Sequence, residues 1–227
     1  MEKELEKLVN DKILTWLPWV GENYDQNKIL FLGESHRYND EENSFEKHQN
    51  PDFTRICVKE MGVDKNEWKV SLYKNTHRFF NLESSEQTSI FWNKVAFMNI
   101  VQRPMRHVGS DRKGPNTADF NDGWGSVLKT VEVLKPEIII CFSLTGADKM
   151  KKAVKKSLFN LDVHEWVYKI NGVWSKKAII SSSNKSGLKI VFLKHPSARG
   201  GNAFEEWRNF LRNEISSDHF ESLFSNQ

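Results

Sequence analysis

The 227-residue chain has only two cysteines, Cys57 and Cys141. Two thiols cannot supply a disulfide framework, a four-thiolate zinc site or a four-cysteine iron–sulfur cluster, so a reduced, cytoplasmic protein is expected. Net charge is also scarce. Lys and Arg number 33 against 30 Asp and Glu, a formal +3, which excludes a globally basic nucleic-acid binder but leaves room for a local basic groove. No stretch approaches the ~20 consecutive apolar residues of a membrane span, and the charged opening Met1-Glu2-Lys3-Glu4 has no apolar signal segment behind it. Internal repeats and low-complexity segments are missing. Large aromatic side chains are plentiful: eight Trp and 15 Phe can fill a core that disordered chains lack the material to build. The length suits one domain spanning residues 1–227.

Leu5, Leu8, Val9, Ile13 and Trp16 follow the spacing of one helix face and predict an amphipathic helix that stops before Pro18. Four short apolar runs then read as interior strands. They are Lys28–Leu32, ended by a turn at Gly33; Val95–Val101, stopping near Pro104; Glu137–Ser143; and Lys189–Leu193, leading into His195-Pro196-Ser197. Helical spacing returns at Trp124, Val127, Leu128, Val131 and Leu134. A further helix opens at Thr145-Gly146 and carries Lys149, Lys151, Lys152, Lys155 and Lys156 as a solvated face, and Phe204, Trp207, Phe210 and Leu211 suggest a closing helix begun around Asn202. Asn171-Gly172 between apolar runs suggests a hairpin before the last strand. Strands alternating with helices imply an α/β fold, a three-layer α/β/α sandwich around a mostly parallel four-stranded sheet.

Ligands of such sheets bind where strands end at their carboxyl edge. That edge gathers Gly33-Glu34-Ser35-His36, the Asn99–Pro104 segment and His195–Arg199, with polar loops at 36–53 and 105–122 leaving it. Glu34 or His36 could activate a water as a general base; the ordinary alternative is a solvated loop carboxylate. Asn99 is a polar residue inside an apolar run, and its amide can pair with a donor and an acceptor together, as on a pyrimidine edge. It could equally tie down a neighbouring loop. The His-Pro-Ser-Ala-Arg-Gly-Gly turn from His195 could hold a neutral imidazole beside a developing anion, with Ser197 on a phosphate. Its plainer reading is a strand-ending turn with a surface histidine. Arg103, Arg106, Lys194 and Arg199 would add positive charge to the rim.

In order along the chain these motifs resemble the uracil-DNA glycosylase superfamily. The Gly33-Glu34-Ser35 strand end, Phe97-Met98-Asn99-Ile100-Val101-Gln102-Arg103-Pro104 and Leu134-Lys135-Pro136-Glu137-Ile138-Ile139-Ile140 are similar to its family 4 branch. Arg199 after His195-Pro196-Ser197-Ala198 is more like the single-strand-selective branch. The resemblance implies a monofunctional glycosylase, monomeric, that flips a nucleotide from DNA, hydrolyses its N-glycosidic bond and leaves an abasic site. By that resemblance His195 donates to the base carbonyl, Asn99 reads the base edge, Ser197 grips a flanking phosphate, Arg199 fills the gap in the stack and Glu34 orients or activates water. No cofactor or metal is implied, because the family 4 cluster needs four cysteines.

Three departures bear on activity and substrate. Ser35 stands where the best-known branch has its water-activating Asp, so Glu34 or His36 must substitute. His36 replaces the following Pro. Arg37 replaces the Tyr that excludes 5-substituted bases, which opens the base-binding position to a pyrimidine with a polar 5-substituent, such as a modified base of phage DNA, as well as to uracil. The roles implied are base excision in DNA repair or phage defence. The alternatives are a catalytically inactive nucleic-acid-binding module, or a nucleoside or nucleotide N-glycosyl hydrolase using the same rim.

Overall fold

The computed structural model of the chain describes residues 1–38, 44–64, 71–108, 111–112, 114–183, 185–196 and 204–224. Leu5 and Leu8 are buried on the helix α1 (Glu2–Asn10). This helix ends before the apolar spacing does, because Lys12 turns left-handed at φ 59° and sends Leu14 and Trp16 into the core from an extended segment. The short strand β1 (Trp19–Val20) and helix α2 (Tyr24–Asn27) precede the first long strand, β2 (Ile29–Tyr38).

Among the described residues, four helices separate β2 from its neighbour: α3 (Ser44–Lys47), α4 (Phe53–Val58) with a π-helical turn at Lys59–Val63, α5 (Ser71–Phe80) and α6 (Ser85–Asn93). The chain then passes through β3 (Val95–Val108), β4 (Asp111–Arg112), α7 (Thr117–Leu134), β5 (Ile138–Cys141) and α8 (Leu144–Val154). It ends with β6 (Asn160–Ile170), β7 (Val173–Ser182), β8 (Lys185–Phe192), α9 (Phe204–Ile215) and α10 (Ser217–Ser222).

The sheet corrects the expectation of four mostly parallel strands. Among the described residues it has eight strands in the order β1-β3-β2-β5-β8-β7-β6, with β4 on β3, and it is mixed. The four anticipated strands form its centre, where β3, β2, β5 and β8 are parallel neighbours. The flanks are antiparallel: β1 on one side, and on the other the hairpin β6–β7, longer than its sequence signal. Asn171 and Gly172 turn the hairpin with φ of 45° and 78°, the two positive angles of a type I′ turn that suits a twisted hairpin.

Alternating residues of the central strands feed two apolar layers. Leu30, Leu32, Ala96, Met98, Ile139 and Ile190 pack under α1, α7 and α8. Ile29, Phe31, Val95, Phe97, Ile140 and Val191 pack under α5, α6, α9 and α10. Helices therefore cover both faces, as buried parallel strands require.

Two strands continue where the sequence suggests they stop. Gly33 pairs with Asn99 and Ser35 with Val101, so β2 does not turn at Gly33. The next pair is Arg37 with Met105. Two steps along β2 thus face four along β3, and the three residues Gln102 to Pro104 bulge opposite the single residue His36. A bulge spares Pro104 the ladder bond it cannot make.

Candidate active site

The central strands stand in chain order second, first, third, fourth. The connection from β2 leads to β3 on one side, while that from β5 leads to β8 on the other. A crevice opens at the carboxyl ends between two such diverging connections. Glu34 of β2 and Ser143, two residues past the end of β5, meet across it: the Ser143 hydroxyl donates to Glu34 Oε2 at 3.1 Å.

Ser143 has a second task. As the N-cap of α8 its Oγ accepts from the Gly146 amide at 3.2 Å, so the carboxylate is fastened to the amino end of a helix, where negative charge is favoured. Arg37 Nη2 lies 3.9 Å from the other carboxylate oxygen, and Glu34 keeps 24% of its side chain exposed. A carboxylate anchored on one oxygen and open to solvent can orient a water without swinging away.

His195 follows β8 and is half-buried. Burial, and then the charge of Arg37, push its pKa down to about 4. At neutral pH it is an uncharged imidazole able to donate one hydrogen bond. Arg37 thus acts electrostatically on both Glu34 and His195.

Asn99, on β3 beside Gly33, is 2% exposed. Its carboxamide oxygen has no hydrogen-bond partner among the described residues, and neither has the buried Ser35 hydroxyl. Gly33 makes room for that amide, since a Cβ at residue 33 would lie 2.2 Å from Asn99 Oδ1. A buried acceptor without a donor costs roughly 1–3 kcal/mol, and a bound molecule carrying an N–H would remove the cost.

Gln102 braces the bulge. Its amide donates to the Asn99 backbone carbonyl at 2.7 Å, while its Oε1 accepts from the Thr15 amide at 3.1 Å and the Trp16 amide at 3.3 Å. The segment after α1 therefore holds the strand that carries Asn99.

A scan against protein-family models gives no match, and neither does a search of curated proteins. Among solved structures the chain is similar to a domain of unknown function, DUF1537, from Bordetella bronchiseptica, crystallised with citrate as a domain-swapped dimer. That likeness has 7% identity and a TM-score of 0.32; it covers 88% of this chain and 41% of the other, and is too slight for a shared fold.

The remaining candidates separate by their surroundings. His36 lies within a cluster of rings: its Nε2 is 2.8 Å from Thr54 Oγ1, and it meets Trp16 and Phe53 edge-on at 4.9 and 4.8 Å. Burial, then His48, lower its pKa to about 3. Arg103 is exposed but bound through two nitrogens to Asp119, at 2.5 and 2.7 Å, tying the bulge to the first turn of α7. Ser197 and Arg199 lie outside the described residues.

Sequence reading missed Ser143 and Gln102. Ser143 carries a signal of its own, a cap residue between an apolar run and Leu144-Thr145-Gly146. Gln102 carries none, because its role depends on Thr15 and Trp16. Both cysteines are buried and free, and burial pushes the Cys57 thiol up to about 12. Among the described residues no helix is long and apolar enough to cross a membrane.

Proposed function

We propose that the chain is a DNA glycosylase that takes an everted pyrimidine, uracil or a 5-substituted relative, into the crevice and hydrolyses its bond to deoxyribose. The observation that carries this reading is the buried, partnerless carboxamide oxygen of Asn99, packed against Gly33 of β2, at the same carboxyl edge of the sheet that carries the anchored Glu34 and a neutral His195. A pyrimidine offers an N–H to the amide oxygen and a carbonyl to the imidazole.

In the reaction the C1′–N1 bond breaks and its electron pair leaves with the base. His195 donates a hydrogen bond to the carbonyl oxygen that gains the charge. Glu34 orients a water whose oxygen bonds to C1′ and whose proton passes to the carboxylate and then to solvent or the departing base. Arg37 beside Glu34 offers donors to a polar 5-substituent. The motif order described for the uracil-DNA glycosylases supports the same assignment.

Duplexes and single strands bearing uracil or 5-modified cytosines, incubated with the protein and then cleaved by alkali, test the reading. Abasic sites should form with the parent protein and vanish with His195→Ala, while oligonucleotide binding survives. Release from free nucleosides but not from DNA would favour the nucleoside hydrolase. No release from any substrate would sink the enzymatic reading.

A further inference from the structure

On the β6–β7 hairpin, away from the crevice residues, Trp166 and Trp174 are 55% and 46% exposed. Trp166 pairs across the strands with Lys176, and Lys169 with Trp174. The two rings stand 6.3 Å apart at 60°. Two adjacent exposed tryptophans are an unusual surface, since indoles are the largest apolar groups available for burial.

The inner face of Trp166 is fixed. Lys176 Nζ sits 3.5 Å from its ring centroid, and Lys176 itself is 1% exposed. A lysine so buried needs a counter-charge, which Asp148 of α8 supplies through an ion pair. The ammonium is thereby held under the indole as a cation–π support, leaving the outer surface of the ring to solvent.

Asp148 also lines a groove of about 350 Å³ whose other walls are Thr117 and Asn121 of α7 and Lys149, Lys151, Lys152 and Lys155 of α8. The one carboxylate in this lining is already paired with Lys176, so the groove is electropositive. The Asp148–Lys176 ion pair and the Lys176–Trp166 contact connect it to the tryptophan pair. The hairpin is also well placed. β7 runs antiparallel to β8, and Lys176 pairs with Phe192, the last residue of β8. Trp174 and the turn therefore lie past the end of β8, at the sheet edge to which His195 belongs.

We propose that this surface binds single-stranded nucleic acid, with bases stacked on Trp166 and Trp174 and phosphates along the lysines of α8. Fixed aromatic faces beside a cationic track are how strands are held without sequence preference. The antiparallel hairpin at the edge of the sheet and a lysine-rich helix thus do together what neither does alone. The proposal rests on the glycosylase reading only for DNA being the nucleic acid.

The test is fluorescence anisotropy of a labelled oligothymidine over a range of salt concentrations. Trp174→Ala, and Trp166→Ala with it, should weaken binding at least about tenfold with little change in the salt slope. Trp174→Phe should restore most of the affinity. Lys151→Glu with Lys152→Glu should flatten the salt slope, as lost phosphate contacts do. The proposal is overturned if the tryptophan variants bind like the parent, or if the parent binds oligothymidine and heparin alike and loses neither in those variants. It is also overturned if the surface captures only peptides. Base release is read in parallel. Tryptophan-dependent binding without any base release would keep this surface and discard the glycosylase reading; base release with tryptophan-independent binding would do the reverse.

Discussion

At residue 33 a single methyl group decides whether Asn99 can keep its place. A Cβ there would meet Oδ1 at 2.2 Å and Phe97 Cζ at 3.0 Å, and both neighbours are buried on β3 with little room to yield. Gly33→Ala should therefore displace the amide, lowering base release by at least about tenfold for a stability loss of about 1–3 kcal/mol, typical of overpacking. Parental activity in this variant would show that the Asn99 side chain is not read by substrate. His195 gives a second expectation. With its pKa at about 4, it stays neutral through the range in which an ordinary imidazole titrates, so base release should show no break between about pH 5 and 8 that His195→Gln removes. A break near pH 6.5 abolished by that change would refute the neutral-donor role. Glu34 and His195 could be singled out because each follows an apolar run, and Asn99 because it interrupts one. Ser143 and Gln102 were not singled out, because the partners that tie them to the site, Glu34 for Ser143 and Thr15 and Trp16 for Gln102, are 109 and at least 86 positions away.

At the scale of elements, apolar runs located all four central strands but not their lengths. β2 and β3 extend past Gly33 and Pro104 because each pairs with the other, and a ladder bond between distant segments leaves no mark on either run alone. Of the flanking strands, β1 is two residues long and left no signal, whereas the β6–β7 hairpin was expected, though over a shorter span than it has. The Asn171-Gly172 turn did show, since its chemistry is local. One element joins fold to site. The amino end of α8 is capped by the hydroxyl that holds Glu34, so Ser143→Ala should cost about 0.5–2 kcal/mol of stability and also loosen the carboxylate. Ser143→Thr, which keeps the hydroxyl at an extended backbone position (φ −148°, ψ 108°), should restore both. Denaturant midpoints and base-release rates measured on the same preparations separate the two effects. A loss of stability in Ser143→Ala with undiminished catalysis would leave Ser143 as a cap alone.

The whole molecule carries a pH dependence that follows from withdrawing two imidazoles from solvent. His36 and His195 have folded-state pKa values of about 3 and about 4, whereas both return to about 6.5 on unfolding. Between those limits the unfolded chain binds more protons than the folded one, so stability rises with pH there. The contribution is flat above about pH 7, where neither state protonates them. It turns destabilising as pH falls below about 6.5, by at most about 1.4 kcal/mol per pH unit for each histidine, and levels off only near the folded values. Carboxylate protonation adds to the loss below about pH 4. His36→Gln can still reach Thr54, whose hydroxyl lies 2.8 Å from His36 Nε2, but cannot take up a proton on unfolding. Urea midpoints for parent and variant should therefore diverge progressively between about pH 6.5 and 4, with the variant losing less, and should run parallel above pH 7. Parallel curves throughout would mean that His36 takes up its proton in the folded protein, and that the ring cluster of Trp16, His48 and Phe53 opens readily enough to admit it.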